Sequence, residues 1–220
     1  MTAEHTSNNP EKLPLIGMTL ADLEGVVRSG GMPRFVGKQI AQWLYDKKVR
    51  TFDEMINISK KNREWLAANY VTGREEPVRS SASSDGTVKY LFAAGPGRFV
   101  ESVYIPDKER ATLCVSSQVG CKMNCYFCAT GKMGFKANLT AAQIINQILS
   151  IPPRPVEGRK AMNELTNVVF MGMGEPLDNL PQLLKVLEIM TAPWGMAWSP
   201  KRITVSTVGK LPELKDLLDR

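Results

Sequence analysis

Three of the four cysteines in this chain stand together, at Cys121, Cys125 and Cys128, in the stretch CKMNCYFC. The spacing C-x3-C-x2-C puts three thiols in one short polar loop, beside Gly120 and Asn124. Three kinds of chemistry compete for such a loop. Cysteines can be small buried hydrophobes, but three in a polar loop make that reading poor. Structural zinc takes four closed ligands, usually from paired C-x2-C knuckles. Cys114 is the one further thiol, it lies in a strand-like segment, and no second C-x2-C exists. Iron–sulfur clusters are held by thiolates, and three ligands on a four-iron cube leave one iron open to a substrate or cofactor. The spacing favours this last reading. The only histidine is His5, so Ser-His-Asp catalysis, Cys-His catalysis and His-ligated zinc lack their key residue in this chain.

Other groups could join such a site. Gly172-Met173-Gly174-Glu175-Pro176 follows a strand-like run; glycines let backbone approach a ligand, and Glu175 could accept from an ammonium group or cap a helix. In RFVESVYIP, Glu101 shares a strand face with Phe99, Val103 and Ile105. That places the carboxylate on an accessible sheet face or in a functional pocket.

The surrounding pattern shows how these residues are positioned. Thr19 caps a helix over LADLEGVVRS that Gly30-Gly31 ends. FVGKQIAQWLYDKK reads as a second helix with Phe35, Ile40, Trp43 and Leu44 apolar, Phe52 to Ile56 as a short turn of helix, and Ser59 caps a third over KKNREWLAANY. From Glu76-Pro77 onward the character changes. PVRSSAS and TVKYLFA flank Asp85-Gly86, a two-residue hairpin signal. ATLCVSS, NVVFMG and RITVST then alternate with the helical patterns AAQIINQILSI, PQLLKVLEIM and LPELKDLLDR. Thr140 caps the first of these helices and Pro152-Pro153 stops it. Such β-α repetition predicts parallel strands with crossover helices. Three strands cannot close a barrel and would leave edges exposed, so further β-α units, and thus a larger enzyme, are expected.

Composition fits an ordinary globular protein, with 43% hydrophobic and 23% charged residues. No run reaches the roughly 18 apolar residues of a membrane span, and the start lacks the apolar core of a secretory signal. Cytoplasmic location with reduced thiols and no membrane partner is the expectation. The net charge is +6. Lys47, Lys48, Arg50, Lys60, Lys61 and Arg63, with Trp43, Tyr45 and Trp65 among them, could meet a phosphate backbone and unstacked bases, or could be a solvated helical face over core aromatics.

The C-x3-C-x2-C loop after the first strand of a β/α array, with Phe127 before its last cysteine, resembles the radical S-adenosylmethionine (SAM) enzymes. The resemblance implies a [4Fe-4S] cluster on Cys121, Cys125 and Cys128, with SAM as second cofactor chelating the open iron and yielding a 5′-deoxyadenosyl radical. It assigns Gly174 and Glu175 to the SAM amino group and Ser206, in ITVSTVG, to its carboxylate. Over residues 98–210 the segments RFVESVYIP, ATLCVSSQVGCKMNCYFCATGKMGF, NVVFMGMGEPLDN and RITVSTVG are similar to the bacterial RNA adenine-C2 methyltransferases of the RlmN group, and to related enzymes that methylate adenine C8. This implies an α/β fold: a partial, TIM-like radical-SAM barrel with its first three β/α units, preceded by a small helical plus β-hairpin accessory domain. The expected divisions are a mobile tail over 1–14, an RNA-binding accessory domain over 15–95 and the incomplete core over 96–220. The implied substrates are 23S rRNA and tRNA, with an electron donor such as flavodoxin. Glu101 matches the proton acceptor and Cys114 the cysteine that resolves a protein–RNA adduct by forming a disulfide. The family's methyl-carrying cysteine has no counterpart here, since none follows Cys128; the chain by itself is not expected to methylate RNA. The alternative outside this chemistry is a non-catalytic, metal-stabilised RNA-binding module.

Overall fold

The computed structural model describes residues 12–108, 110–152 and 165–219. Most of the expected tail lies outside them, but Leu13–Pro14 (β1) is not tail: it pairs in parallel with Tyr70–Val71 (β2). Between these strands lie the helices Leu20–Ser29 (α1), Phe35–Tyr45 (α2) and Lys60–Asn69 (α3). Local chemistry sets their ends. The Thr19 hydroxyl accepts from Asp22 N–H at 3.3 Å while the Asp22 carboxylate accepts from Thr19 N–H at 3.1 Å, a reciprocal cap. Ser59 caps α3 in the simpler way. Phe35, expected on the apolar face of α2, is exposed instead; Val36, Ile40, Ala41, Leu44 and Tyr45 form that face.

One six-stranded sheet organises the rest. It contains Arg79–Ala82 (β3), Val88–Ala93 (β4), Phe99–Asp107 (β5), Arg110–Cys114 (β6), Asn167–Phe170 (β9) and Ile203–Val205 (β10), in the order β10-β9-β6-β5-β4-β3. The chain between β6 and β9 carries Gln118–Val119 (β7), Ala129–Lys132 (α4), Ala137–Asn138 (β8) and Ala141–Leu149 (α5); Leu180–Thr191 (α6) and Leu211–Leu218 (α7) follow β9 and β10. β6, β9 and β10 are parallel, as the β-α alternation predicted. β3 to β6 are antiparallel neighbours. The expected division at residue 95 therefore cuts through a sheet, since β4 and β5 pair from Val88↔Tyr104 to Ala93↔Phe99. The hairpin at Asp85-Gly86 also differs from expectation. Ser83 N–H donates to Thr87 C=O at 2.8 Å and Gly86 N–H to Ser83 C=O at 3.1 Å, so three residues, not two, make the turn.

Strand alternation gives the sheet two unlike faces. Val88, Tyr90, Phe92, Val100, Leu113, Val168 and Phe170 are buried in the core with Ile144, Ile148, Leu183 and Ile189 of α5 and α6. The opposite face is half-open and carries Glu101, Val103 and Cys114. The helical N-terminal unit shares the same core cluster through Leu15, Ile40 and Leu44. Lys185 of α6 meets the Asp22 carboxylate of α1 at 2.9 Å, and the Tyr45 ring lies 6.2 Å from that of Trp194. Aromatics of the basic segment belong to this packing. Tyr45 is buried with its hydroxyl donating to Met18 C=O, and Trp65 packs on Tyr70. Tyr45 thus takes the bland alternative of a core aromatic, Trp43 and Trp65 are half-buried, and the lysines remain at the surface.

Candidate active site

Parallel strands send their following loops to the same end, which is where β/α sheets build sites. The cysteine loop leaves β6, the Gly172–Glu175 segment leaves β9, and Ser206 and Thr207 leave β10, all at that end. The cysteine loop is closed at its neck. β7 and β8 pair antiparallel, with Gln118↔Asn138 and Val119↔Ala137, and the Gln118 amide donates to Asn138 Oδ1 at 2.7 Å. Gly120 sits at φ +72°, where a Cβ would fall 1.8 Å from Gly134 C=O, so only glycine lets the neck close.

Within the loop, Cys121 is buried, and Cys125 and Cys128 are half-buried, all as free thiols. Met123 N–H approaches Cys121 Sγ at 3.5 Å. Asn124 adopts φ +48°, a left-handed conformation Asn tolerates better than most side chains. Tyr126 and Phe127 project into solvent. Among the described residues no three Cys, His, Asp or Glu side chains are drawn together closely enough to hold an ion. A donor set of three thiols in one loop fits a four-iron cluster, whose ligands are spread over a cube.

The β9 segment packs directly beside this loop. Met173 C=O accepts from Ser117 and Gln118 N–H at 2.9 and 3.1 Å, and Met173 N–H donates to Ser116 Oγ at 2.9 Å. Gly174, at φ +98°, lies against Gln118, where a Cβ would come within 2.5 Å. Glu175 is only 4% exposed. Its Oε1 accepts from Leu177 N–H at 3.0 Å and Thr207 Oγ at 2.5 Å, and its Oε2 from Val208 N–H at 3.0 Å. The carboxylate thus caps the short 3-10 turn Pro176–Asn179 and straps the β9 and β10 loops together. A carboxylate offers about four acceptor positions, and three of them are used here. Ser206 is exposed at the strand end, while its neighbour Thr207 makes the strap.

Glu101 and Cys114 lie on the open sheet face. Val103 pairs with Cys114, so Glu101, two residues along β5, is the diagonal neighbour, roughly 7–8 Å away by sheet geometry. Lys89 holds the Glu101 carboxylate at 3.0 Å in a partly exposed ion pair. Burial pushes the Cys114 thiol pKa up, opposed by a hydrogen bond to the Met171 backbone.

Several site residues escaped sequence reasoning. Asn179 is buried, and its amide donates to Ser117 C=O at 2.9 Å and Leu139 C=O at 2.7 Å, bracketing the cysteine loop. Asp178 meets Lys122 from the cysteine loop and Lys210 from beyond β10. The only signal was their place in GEPLDN, directly after the glycine segment. Buried Gln147 is a similar case: it accepts from Ser102 Oγ at 2.6 Å and Ser116 N–H at 2.9 Å, fixing the β6 end from behind.

Comparison with known proteins agrees with this geometry. Residues 13–71 match the ribosomal RNA large subunit methyltransferase N-terminal domain, and residues 115–220 match the radical SAM superfamily. The chain is 62% identical over 208 residues to a probable dual-specificity RNA methyltransferase RlmN of Bacteroides thetaiotaomicron, covering 94% of this chain and 58% of that protein. It is 44% identical to the dual-specificity RNA methyltransferase RlmN of Geotalea uraniireducens, covering 94% of this chain and 58% of the relative. A radical SAM methyltransferase from Sphaerobacter thermophilus has a similar crystal structure, with a TM-score of 0.83 and 37% identity over 94% of this chain and 60% of that one. The chain thus spans less than two thirds of the length of these relatives. With residues 13–71 and 115–220 matching these two models, and relatives of that name up to 62% identical across 94% of the chain, the chain belongs to the RlmN group of the radical SAM superfamily.

Proposed function

We propose that this chain supplies the cluster-binding part of a radical-SAM methyltransferase that methylates C2 of adenine in 23S rRNA and tRNA through a methyl-cysteine intermediate. The single observation carrying this reading is the convergence of the three-cysteine loop, Gly174-Glu175 and Ser206 at the C-terminal ends of three parallel strands. Cys121, Cys125 and Cys128 would hold the [4Fe-4S] cluster. Gly174, Glu175 and Ser206 would orient SAM, with Glu175 toward its ammonium group. When bound, these cofactors would supply the radical chemistry that methylation needs at a carbon too poor a nucleophile to attack the methyl group of SAM directly. Glu101, on the open sheet face, would take the ring proton. Cys114, its diagonal neighbour, would release the RNA by forming a disulfide with the methyl-carrying cysteine, which this chain does not contain. Low-potential electrons would come from a flavodoxin-like donor, and the reaction belongs in a reducing cytoplasm.

The test joins residues 12–219 to the remaining part of the Bacteroides thetaiotaomicron relative. Anaerobically reconstituted chimera should bind about four irons per chain, the content of one cube, cleave SAM and form 2-methyladenine in a 23S rRNA fragment. Cys121→Ala should abolish all three. Stoichiometric zinc without iron, or RNA binding without SAM cleavage, would refute the proposal, and 8-methyladenine would overturn the assignment to C2.

A further inference from the structure

Asp178 lies outside every role assigned above, yet its surroundings are unusual. Its carboxylate side chain is 2% exposed. Oδ1 meets Lys122 Nζ at 3.3 Å and also binds Lys210. Oδ2 is buried without a hydrogen-bond partner. These three residues come from three loops: Lys122 directly follows Cys121, Asp178 follows the glycine segment, and Lys210 follows β10. The loop neck is fixed by backbone pairing and by Asn179. Among the charged groups described here, Asp178 is the one that reaches past the neck to the stretch between Cys121 and Cys125.

We propose that Asp178 is a positioning residue for the cysteine loop. Its buried negative charge holds the Lys122 ammonium, and through it the backbone beside Cys121, against the β9 and β10 loops. Burying a carboxylate is costly unless it is paired, so Asp178 remains buried only while the lysines of the neighbouring loops meet it. Lys122 is about half exposed, so it is the more mobile partner, and its departure would leave the cysteine stretch tied only at the neck. The inference rests on reading the three cysteines as cluster ligands for its purpose, but not for its first readout.

The test compares Asp178→Asn, Lys122→Met and Lys122→Arg, with Lys210→Met as control. Alkylation rates of Cys125 and Cys128 are read in metal-free protein by mass spectrometry, and iron release to a chelator in reconstituted protein. Asp178→Asn and Lys122→Met should each speed alkylation and iron release roughly fivefold, a moderate effect because Lys122 is partly screened by solvent. The double variant should be no faster than either single, Lys122→Arg should restore the slow rates, and Lys210→Met should change them less. Unchanged alkylation in both Asp178→Asn and Lys122→Met would overturn the proposal, as would additive effects in the double variant. If wild-type protein takes up no iron, the enzyme reading fails, while the alkylation comparison still decides the role of Asp178.

Discussion

Replacing Glu175 by Gln tests whether the carboxylate is a structural strap as well as a ligand-facing group. Three donors now converge on it, from Leu177 N–H, Thr207 Oγ and Val208 N–H. A glutamine oxygen in the Oε1 position keeps the first two, weakened from charge-assisted to neutral bonds. The amide nitrogen then faces the Val208 N–H, donor against donor. One lost bond to a charged group is worth about 1.5–3 kcal/mol, and a donor left unpaired in a buried site about 1–3 kcal/mol. The bond from Val208 N–H is only part-buried, so the lower end applies and the loss should be about 2 kcal/mol. For a chain of this size that lowers Tm by about 4–8 °C. Urea denaturation and thermal melts of wild type, Glu175→Gln, Thr207→Val and the double variant form a cycle. Because both residues share one hydrogen bond, the double variant should be less destabilised than the sum of the singles by about 0.5–1 kcal/mol. Amide exchange at Val208 should quicken in Glu175→Gln. A Tm within 1 °C of wild type (about 0.3 kcal/mol), or a strictly additive cycle, would show that the strap carries no energy.

Gly120→Ala should open the loop neck, because its Cβ would collide with Gly134 C=O; faster amide exchange at Val119 and Lys136, with a loss of more than about 1 kcal/mol, is expected, and unchanged exchange would refute it. The Cys114 thiol, raised in pKa by burial, should stay protonated at neutral pH, and its alkylation rate should climb only above the ordinary thiol value of about 8.5; a plateau near pH 7 would contradict this. Burial tends to raise the Asp22 carboxyl, but Lys185 and the Thr19 N–H outweigh it and hold the group below its ordinary value. A depressed carboxyl contributes stability that is complete above its ordinary value and lost as pH falls through the lower folded value. Asp22→Asn should therefore cost about 1 kcal/mol near neutral pH, discounted for solvent screening, and the difference from wild type should shrink toward pH 2–3, as urea midpoints across pH would show. Glu101→Gln removes a partly exposed ion pair with Lys89 and should change stability by less than about 1 kcal/mol; a larger loss would assign Glu101 a structural role.

Much of this molecule was legible in one dimension because its signals are local. Thr19, Ser59 and Thr140 cap helices through contacts three residues away, so the sequence carries them whole. The parallel strands were legible because β-α alternation admits little else. The metal-ligand spacing is local too, and the cysteine loop stands at the strand end where that pattern put it. What sequence could not decide depends on residues far apart in the chain. The continuity of the sheet across residue 95 is set by β4–β5 pairing, and the burial of Tyr45 by Met18 and Trp194. Glu175 had two readings in the sequence, ammonium acceptor or helix cap; only folding brings Thr207 and Val208 to it and makes the cap a strap. Asp178 carries no signal of its own in the sequence, and it becomes an anchor because Lys122 and Lys210 arrive from two other loops. Spacing determined which residues could do chemistry; long-range closure decided which charges hold them in place, since buried charge is tolerated only where a partner has been brought to meet it.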